Sequence, residues 1–114
     1  MENQIGRAFL ILFLWFGMGA ANAEVTSFTS KITAVYPLAN GRVVLNFSDQ
    51  PSACTGAGTP KYFYLEVGQQ GVTEKAFNNI YAAALSAATT GSSVLVFFDN
   101  ATSLCHINRI RVRY

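Results

Sequence analysis

The chain has 114 residues, of which 51% are hydrophobic and only 12% charged, and its formal net charge is +2. This composition excludes a disordered chain and is typical of a small domain with a well-buried core. A net charge this small gives no indication of a polyanionic partner, nucleic acid included.

The first 23 residues have the organisation of a secretory signal peptide. Arg7 supplies the positive start, residues 8–18 the apolar segment, and Ala21-Asn22-Ala23 an Ala-x-Ala cleavage signature. A retained membrane anchor is the alternative, but it needs about 20 apolar residues, and glycines interrupt this run. We predict cleavage after Ala23, one mature domain over 24–114, a secreted or periplasmic location, and no membrane insertion after cleavage.

Export makes the cysteines informative. In an oxidising compartment, the two cysteines of a small domain are most simply one disulfide, Cys54–Cys105. The loop-entropy model assigns about 4 kcal/mol to closing a loop of roughly 50 residues. No Cys-x-x-Cys motif indicates a reactive thiol pair, so the predicted bridge is structural.

The first half of the mature chain predicts three strands. Residues 24–30 are polar, and we expect them to fray before a first strand over 31–36. The hairpin dipeptide Asn40-Gly41 leads into a second strand over 42–47. A turn-rich loop, 48–60, precedes a third strand over 61–67. The positions expected to face inward on the second and third strands are Val43, Leu45, Phe47, Phe63, Leu65 and Val67.

The stretch from Thr73 to Gly91 is the one long helical pattern. Thr73 is suited to be the N-cap, Glu74 is favoured by the helix dipole, and Gly91 suits the C-terminal stop. Apolar residues recur at helical spacing and predict one buried stripe: Phe77, Ile80, Tyr81, Ala84, Leu85 and Ala88.

Two further strands follow, over 94–98 and 107–114, and the last has Arg109, Arg111 and Arg113 on one face and Ile110, Val112 and Tyr114 on the other. The order β-β-β-α-β-β predicts a mainly β (α+β) fold, an OB-like five-stranded Greek-key barrel with one helix. Its third and fifth strands would close the barrel, and each cysteine lies just before one of them. An open antiparallel sheet covered by a helix fits the periodicity equally well. We favour the barrel because it leaves no unpaired edge.

This arrangement resembles a group of small exported bacterial proteins and, more distantly, the receptor-binding B subunits of AB5 toxins, particularly the subtilase-cytotoxin type. The residues that carry the resemblance are Cys54, 61–67, the helix end Ala87–Gly91, 94–98 and Cys105. The resemblance implies a pentameric OB barrel that binds cell-surface glycans. It supplies no sugar-contacting residue, because no binding motif matches by position.

The sequence contains little that indicates catalysis. His106 is the only histidine, and it lies beside Cys105, so no zinc site can be assembled. The carboxylates are scattered over different elements, and no nucleophile elbow, P-loop or dinucleotide motif is present. We expect a non-enzyme without metal or cofactor.

One surface stands out as a candidate binding site. If strands three and five are neighbours, Tyr62 and Tyr64 line up beside Arg109, Arg111 and Arg113 on the outer face. Tyrosine rings and forked arginine donors suit a glycan or a protein partner. The alternative is cross-strand packing of arginine stems over tyrosine rings, with no ligand.

Two functions follow from these observations. The first is a secreted, non-enzymatic binding module, a glycan-binding subunit of a homo-oligomer like the toxin B subunits. The second is a small periplasmic inhibitor or immunity protein that binds a partner enzyme. A minor structural component of the cell surface is a third, for which the sequence has no positive signal.

Overall fold

The structure is a computed structural model that describes residues 25–114; the predicted signal peptide, residues 1–23, lies outside the described residues. The elements follow the predicted order and are β1 (Val25–Pro37), β2 (Val43–Phe47), β3 (Phe63–Leu65), α1 (Glu74–Thr90), β4 (Ser93–Asp99) and β5 (Ile107–Val112). The five strands form one sheet in the order β3-β2-β1-β4-β5, and all neighbours in it are antiparallel.

The long strand β1 belongs to both halves of the sheet. Its first part, Val25–Lys31, pairs with β4, and its second part, Ile32–Pro37, pairs with β2 after an irregularity between Ile32 and Ala34. The expectation that residues 24–30 fray is therefore wrong for 25–30. Their polarity arises because Ser27 and Thr29 face outward, while Phe28 between them packs on the core.

The third and fifth strands approach each other as predicted. The backbone N–H of Tyr64 donates to the carbonyl of Leu104 at 3.3 Å, just before β5. The disulfide Cys54–Cys105 joins the segments that precede the two strands, with its Cα atoms 5.7 Å apart. The predicted OB-like barrel and its disulfide are thus confirmed. The closure is short because β3 has only three residues, and Val67, expected to face inward, lies in the following turn and is 49% exposed.

Four phenylalanines form the centre of the core. Phe63 contacts Phe28, Phe47 and Phe98, with ring centroids 5.1–5.2 Å apart. They come from four different strands, so the cluster joins both halves of the sheet. Edge-to-face contacts of this kind add about 0.5–1.5 kcal/mol each beyond the burial of apolar area.

Helix α1 packs against β1 and β5, and its ends are as predicted. The hydroxyl of Thr73 accepts from the backbone N–H of Ala76 at 3.1 Å. Gly91 ends the helix in the left-handed conformation, with φ at 69°. The buried face is centred on Ala84 and Ala87, because small side chains let the helix approach the strands closely. The predicted place of Leu85 on the core stripe is wrong, since its side chain is 41% exposed.

Candidate functional site

The clearest feature of the outer surface is a row of side chains across β1, β2 and β3, with a tyrosine on each of the two outer strands. In register, Tyr36 lies opposite Val44, and Val44 lies opposite Tyr64. Because side chains alternate along a strand, the burial of Phe63 and Leu65 in the core turns Tyr64 outward. Tyr62 stands beside this row. We call Tyr36, Tyr62 and Tyr64 the tyrosine patch; beneath it Val44 is almost completely covered.

The rings of the patch are arranged in a definite geometry. Tyr36 and Tyr62 meet edge to face, with centroids 5.7 Å apart and an interplanar angle of 89°. Tyr62 and Tyr64 are tilted at 6.4 Å. Tyr36 and Tyr62 remain 40% and 42% exposed, respectively. The patch therefore presents aromatic surface to solvent while its rings support one another.

The neighbouring phenols affect the titration of Tyr62. The pKa of Tyr62 is raised above its ordinary value of 10.0, mainly by the Tyr36 phenol, then by desolvation, with a smaller contribution from Tyr64. An ordinary tyrosine is already neutral at physiological pH, and the raised pKa of Tyr62 extends the neutral range further into alkaline pH. The hydroxyl is therefore available both to donate and to accept hydrogen bonds.

A charged cluster borders the patch. The guanidinium of Arg42 lies 4.7 Å from the ring centroid of Tyr64, and its Nη1 is 3.7 Å from Oε1 of Glu66. Nε2 of the buried His106 lies 3.1 Å from the same carboxylate oxygen. A single carboxylate thus holds an arginine and a histidine beside Tyr64. Arg42 Nε is buried without a hydrogen-bond partner among the described residues.

The backbone that carries Tyr62 is fixed by its neighbour, since Tyr62 itself precedes the regular part of β3. The N–H of Lys61 donates to the side-chain oxygen of Gln50 at 2.7 Å, and the carbonyl of Lys61 accepts from the buried amide of Asn46 at 3.0 Å. The ammonium group of Lys61 donates to the carbonyls of Pro51 and Cys54. These bonds attach the segment before Tyr62 to β2 and to the disulfide-bonded loop.

The predicted arginines lie on a different part of the surface. β5 pairs with β4, so that Arg109 is opposite Phe97 and Arg111 is opposite Leu95. The guanidinium of Arg109 lies 3.9 Å from the ring centroid of Phe97. The backbone N–H of Tyr64 donates to the carbonyl of Leu104, which precedes β5. The arginines lie further along the last strand. Among residues 25–114, no hydrogen bond or cation–π contact joins Tyr62 or Tyr64 to Arg109, Arg111 or Arg113.

Two members of the site were missed by sequence reasoning: Tyr36 and Arg42. The Asn40-Gly41 turn predicts a hairpin, but the connection runs from 38 to 42 and contains two backbone hydrogen bonds. The register of the β1–β2 hairpin, in which Tyr36 lies opposite Val44, could not be deduced from the Asn40-Gly41 dipeptide. Alternation along 61–67 did place Glu66 on the same face as the tyrosines.

Both surfaces are open faces. No enclosed pocket is found among residues 25–114, and that range contains no group of three or more His, Cys, Asp or Glu side chains placed to hold a metal ion. Within the same part of the chain, no helix has the length and apolar character needed to cross a membrane.

Comparison with known proteins gives one informative result. No family model matches the chain, and no curated protein matches it. The solved structure of the cholera toxin-like B-subunit from Citrobacter freundii is similar, with a TM-score of 0.60, 17% sequence identity, and coverage of 81% of this chain and 87% of that chain. At this identity the likeness concerns the fold. The predicted resemblance to AB5 toxin B subunits is thereby confirmed, and the chain has the fold of such a subunit.

Proposed function

We propose that the mature chain, residues 24–114, is an exported, non-enzymatic binding module that holds a glycan on the tyrosine patch. The observation that carries the proposal is the group of three tyrosines, of which Tyr36 and Tyr62 are exposed and Tyr64 is half-buried, on a sheet whose fold resembles that of a toxin B subunit. Removal of residues 1–23 and passage to the periplasm or beyond form part of this proposal, and the Cys54–Cys105 disulfide supports them.

The chemistry of the patch suits a carbohydrate. A sugar ring has apolar C–H faces and a rim of hydroxyl groups, and tyrosine combines a flat apolar ring with one hydroxyl. Because Val44 is already buried below the rings, a ligand would contact the tyrosines and the charged groups beside them. Arg42 and Glu66 supply a donor and an acceptor at the border for orienting the sugar.

A site without a pocket binds a single sugar weakly, because little of the ligand is removed from water. Several copies of the site in one assembly compensate for the weak binding at each copy. We extend the proposal to a homo-oligomer, as the resemblance to pentameric toxin B subunits implies, in which several patches engage one glycosylated surface. Linking sites in this way raises the overall affinity by factors of about 10²–10⁴ without new contacts.

Glycan-array binding by the purified mature protein tests the proposal. We expect binding by the wild type, a loss of about tenfold or more in Tyr62→Ala, and little change in Tyr114→Ala. Tyr114 is a matched control because it is an exposed tyrosine outside the patch, with its hydroxyl bonded to Ser86. Absence of binding to every glycan, or equal binding by Tyr62→Ala and wild type, would contradict the proposal.

A second function is supported by the same surface. The exposed Tyr36 and Tyr62 with the half-buried Arg42 beside them are residue types that dominate protein–protein interfaces. The alternative is therefore an inhibitor or immunity protein that covers a partner enzyme. Recovery of a one-to-one complex with an envelope or toxin enzyme would favour it. A stable homopentamer, measured by light scattering, would favour the glycan-binding module.

A further inference from the structure

The outer face of β1, β4 and β5 carries a second surface, built around the three arginines of the last strand. Antiparallel register aligns residues of the three strands in rows. One row contains Arg109, Phe97 and Ser27, and the next contains Arg111, Leu95 and Thr29. Arg113 bonds through its N–H to the carbonyl of Ser93, whose partner on β1 is Lys31. We call Lys31, Arg109, Arg111 and Arg113 the basic face; all four are exposed.

The small net charge of the chain conceals this uneven distribution of basic and acidic groups over the surface. Within residues 25–114 the ion pair is that of Glu66 with Arg42, and the same carboxylate also contacts Nε2 of His106. Asp99 is buried and accepts from Gln70 and from a backbone N–H. The other acidic side chains of this range are Glu74, at the start of α1, and Asp49, in the loop after β2. No carboxylate in the described part of the chain forms an ion pair with the basic face, so its positive charge is not neutralised there.

One member of the basic face, Arg109, is held by its neighbours. The guanidinium of Arg109 rests on the ring of Phe97, and its Nη1 donates to the side-chain oxygen of Asn108 at 2.8 Å. Alternate residues of a strand point to the same side at intervals of roughly 7 Å. Arg109, Arg111 and Arg113 therefore present a line of forked donors along one strand, and forked donors match carboxylate and sulfate groups.

We propose that the basic face binds a linear acidic polysaccharide, whose carboxylate or sulfate groups follow the arginine line. Ser93 lies between Lys31 and Arg113, and Ser27 and Thr29 lie on β1 in the rows of Arg109 and Arg111; all three supply hydroxyl groups that suit a sugar polymer. This inference goes beyond the proposed function, because it assigns a charged ligand to a surface separate from the tyrosine patch.

Other polyanions fit the basic face less well. Binding to a membrane surface uses exposed apolar side chains that enter the lipid, whereas Leu95 and Phe97 are partly buried between the cations and Arg109 covers the Phe97 ring. Single-stranded nucleic acid binds through aromatic rings on which bases stack. In this face the one aromatic ring already carries an arginine.

Surface plasmon resonance with the oxidised mature protein tests the inference. The immobilised probes are heparin, polygalacturonate and neutral dextran. We expect binding to both acidic polymers and not to dextran, with an affinity that falls as salt is added. Arg111→Gln should weaken binding by about five- to tenfold, as expected for one charge-assisted contact, and the triple change of Arg109, Arg111 and Arg113 to Gln should abolish it.

A matched pair of lysine variants separates the basic face from general charge. Lys31→Gln and Lys75→Gln each remove one exposed lysine, but Lys75 lies on α1, outside the basic face. We expect weaker heparin binding only in Lys31→Gln. Equal loss in both variants would overturn the inference, as would absence of binding to both acidic polymers. Circular dichroism melts verify that every variant is folded.

Two further arms identify the ligand class and the surface. Vesicles with anionic lipid and single-stranded DNA are tested in solution; binding to either as tight as to the acidic polymers would overturn the assignment to a polysaccharide. Tyr62→Ala is tested on heparin and should bind like the wild type. Loss of heparin binding in Tyr62→Ala but not in Arg111→Gln would overturn the inference while leaving the proposed function intact.

Discussion

The rings of Tyr36 and Tyr62 meet edge to face at 5.7 Å, although the two residues belong to segments on opposite sides of β2. Val44 of β2 lies opposite Tyr36 where β1 pairs with β2, and opposite Tyr64 where β2 pairs with β3. A slip of one residue in either pairing would turn a tyrosine towards the core. The tyrosine patch therefore depends on the register of three strands at once.

This contact predicts a perturbed titration. Because the Tyr36 phenol is the largest cause of the raised pKa of Tyr62, Tyr36→Phe should return the Tyr62 pKa towards 10.0 while keeping the ring contact. NMR-detected titration of the Tyr62 ring measures this. Tyr81→Phe, on the helix, is the matched control and should leave the Tyr62 pKa unchanged. An unaltered Tyr62 pKa in Tyr36→Phe would show that the two phenols do not interact.

The same shift has a consequence for stability. The folded chain holds the Tyr62 proton more tightly than the unfolded chain does, because its folded pKa is the higher one. The associated stabilisation is complete below the ordinary value of 10.0 and is lost as the pH rises through the raised value. Tyr36→Phe should therefore make unfolding less dependent on pH in the alkaline range, as measured by urea denaturation at a series of pH values.

Features determined by local chemistry could be predicted from the sequence. Thr73 and Gly91 mark the helix ends because a hydroxyl that accepts a backbone N–H and a residue that tolerates positive φ are local requirements. The inward positions of Phe63 and Leu65 follow from alternation. The disulfide followed from the presence of only two cysteines in a chain expected to be exported.

Features determined by tertiary pairing could not be predicted. Residues 25–30 look like a frayed end until β4 supplies hydrogen-bond partners. The grouping of Tyr62 and Tyr64 with Tyr36 and Arg42 depends on where β3 ends and on the hairpin register. The separation of Arg109, Arg111 and Arg113 from the tyrosines has the same cause, since β3 meets the last strand at Leu104 and not at Arg109.

The aromatic core predicts a graded loss of stability at Phe63. Its side chain is fully buried and contacts three other phenylalanines. Phe63→Ala should lower the free energy of unfolding by about 3–5 kcal/mol, because a cavity opens between the two halves of the sheet. Phe63→Leu keeps most of the volume but loses the ring contacts, and it should cost less than Phe63→Ala. Urea denaturation measures both; equal losses would show that the cavity is not the cause.

The disulfide predicts a dependence on redox conditions. Both cysteine side chains are fully buried, so a reducing agent should act slowly on the folded protein and quickly once denaturant is added. The double variant Cys54→Ala/Cys105→Ala should lose about 2–4 kcal/mol of unfolding free energy, as expected for opening a loop with a sequence separation of 51. A double variant as stable as the oxidised wild type would contradict this prediction.

The helix cap predicts a smaller effect. Thr73→Ala removes the hydroxyl that accepts from the N–H of Ala76, and we expect a loss of about 1 kcal/mol of unfolding free energy. Thr73→Ser keeps an oxygen at the same position and is the matched control. Thermal unfolding of both variants provides the comparison. Equal destabilisation by Ala and Ser would indicate that the methyl group of Thr73 matters more than its hydroxyl.

The buried amide of Asn46 connects stability with the proposed binding site. It is 1% exposed and donates to the carbonyl of Lys61, the residue before Tyr62. Asn46→Ala leaves that carbonyl without its donor and should cost about 1–3 kcal/mol of unfolding free energy. Because the segment that carries Tyr62 is released at the same time, glycan affinity should fall in variants that are still folded.

Asn79→Ala, at an exposed position of α1, is the control and should change neither quantity. If Asn46→Ala loses stability but keeps full affinity, the position of Tyr62 does not depend on this hydrogen bond, and the other bonds of Lys61 are sufficient to hold it.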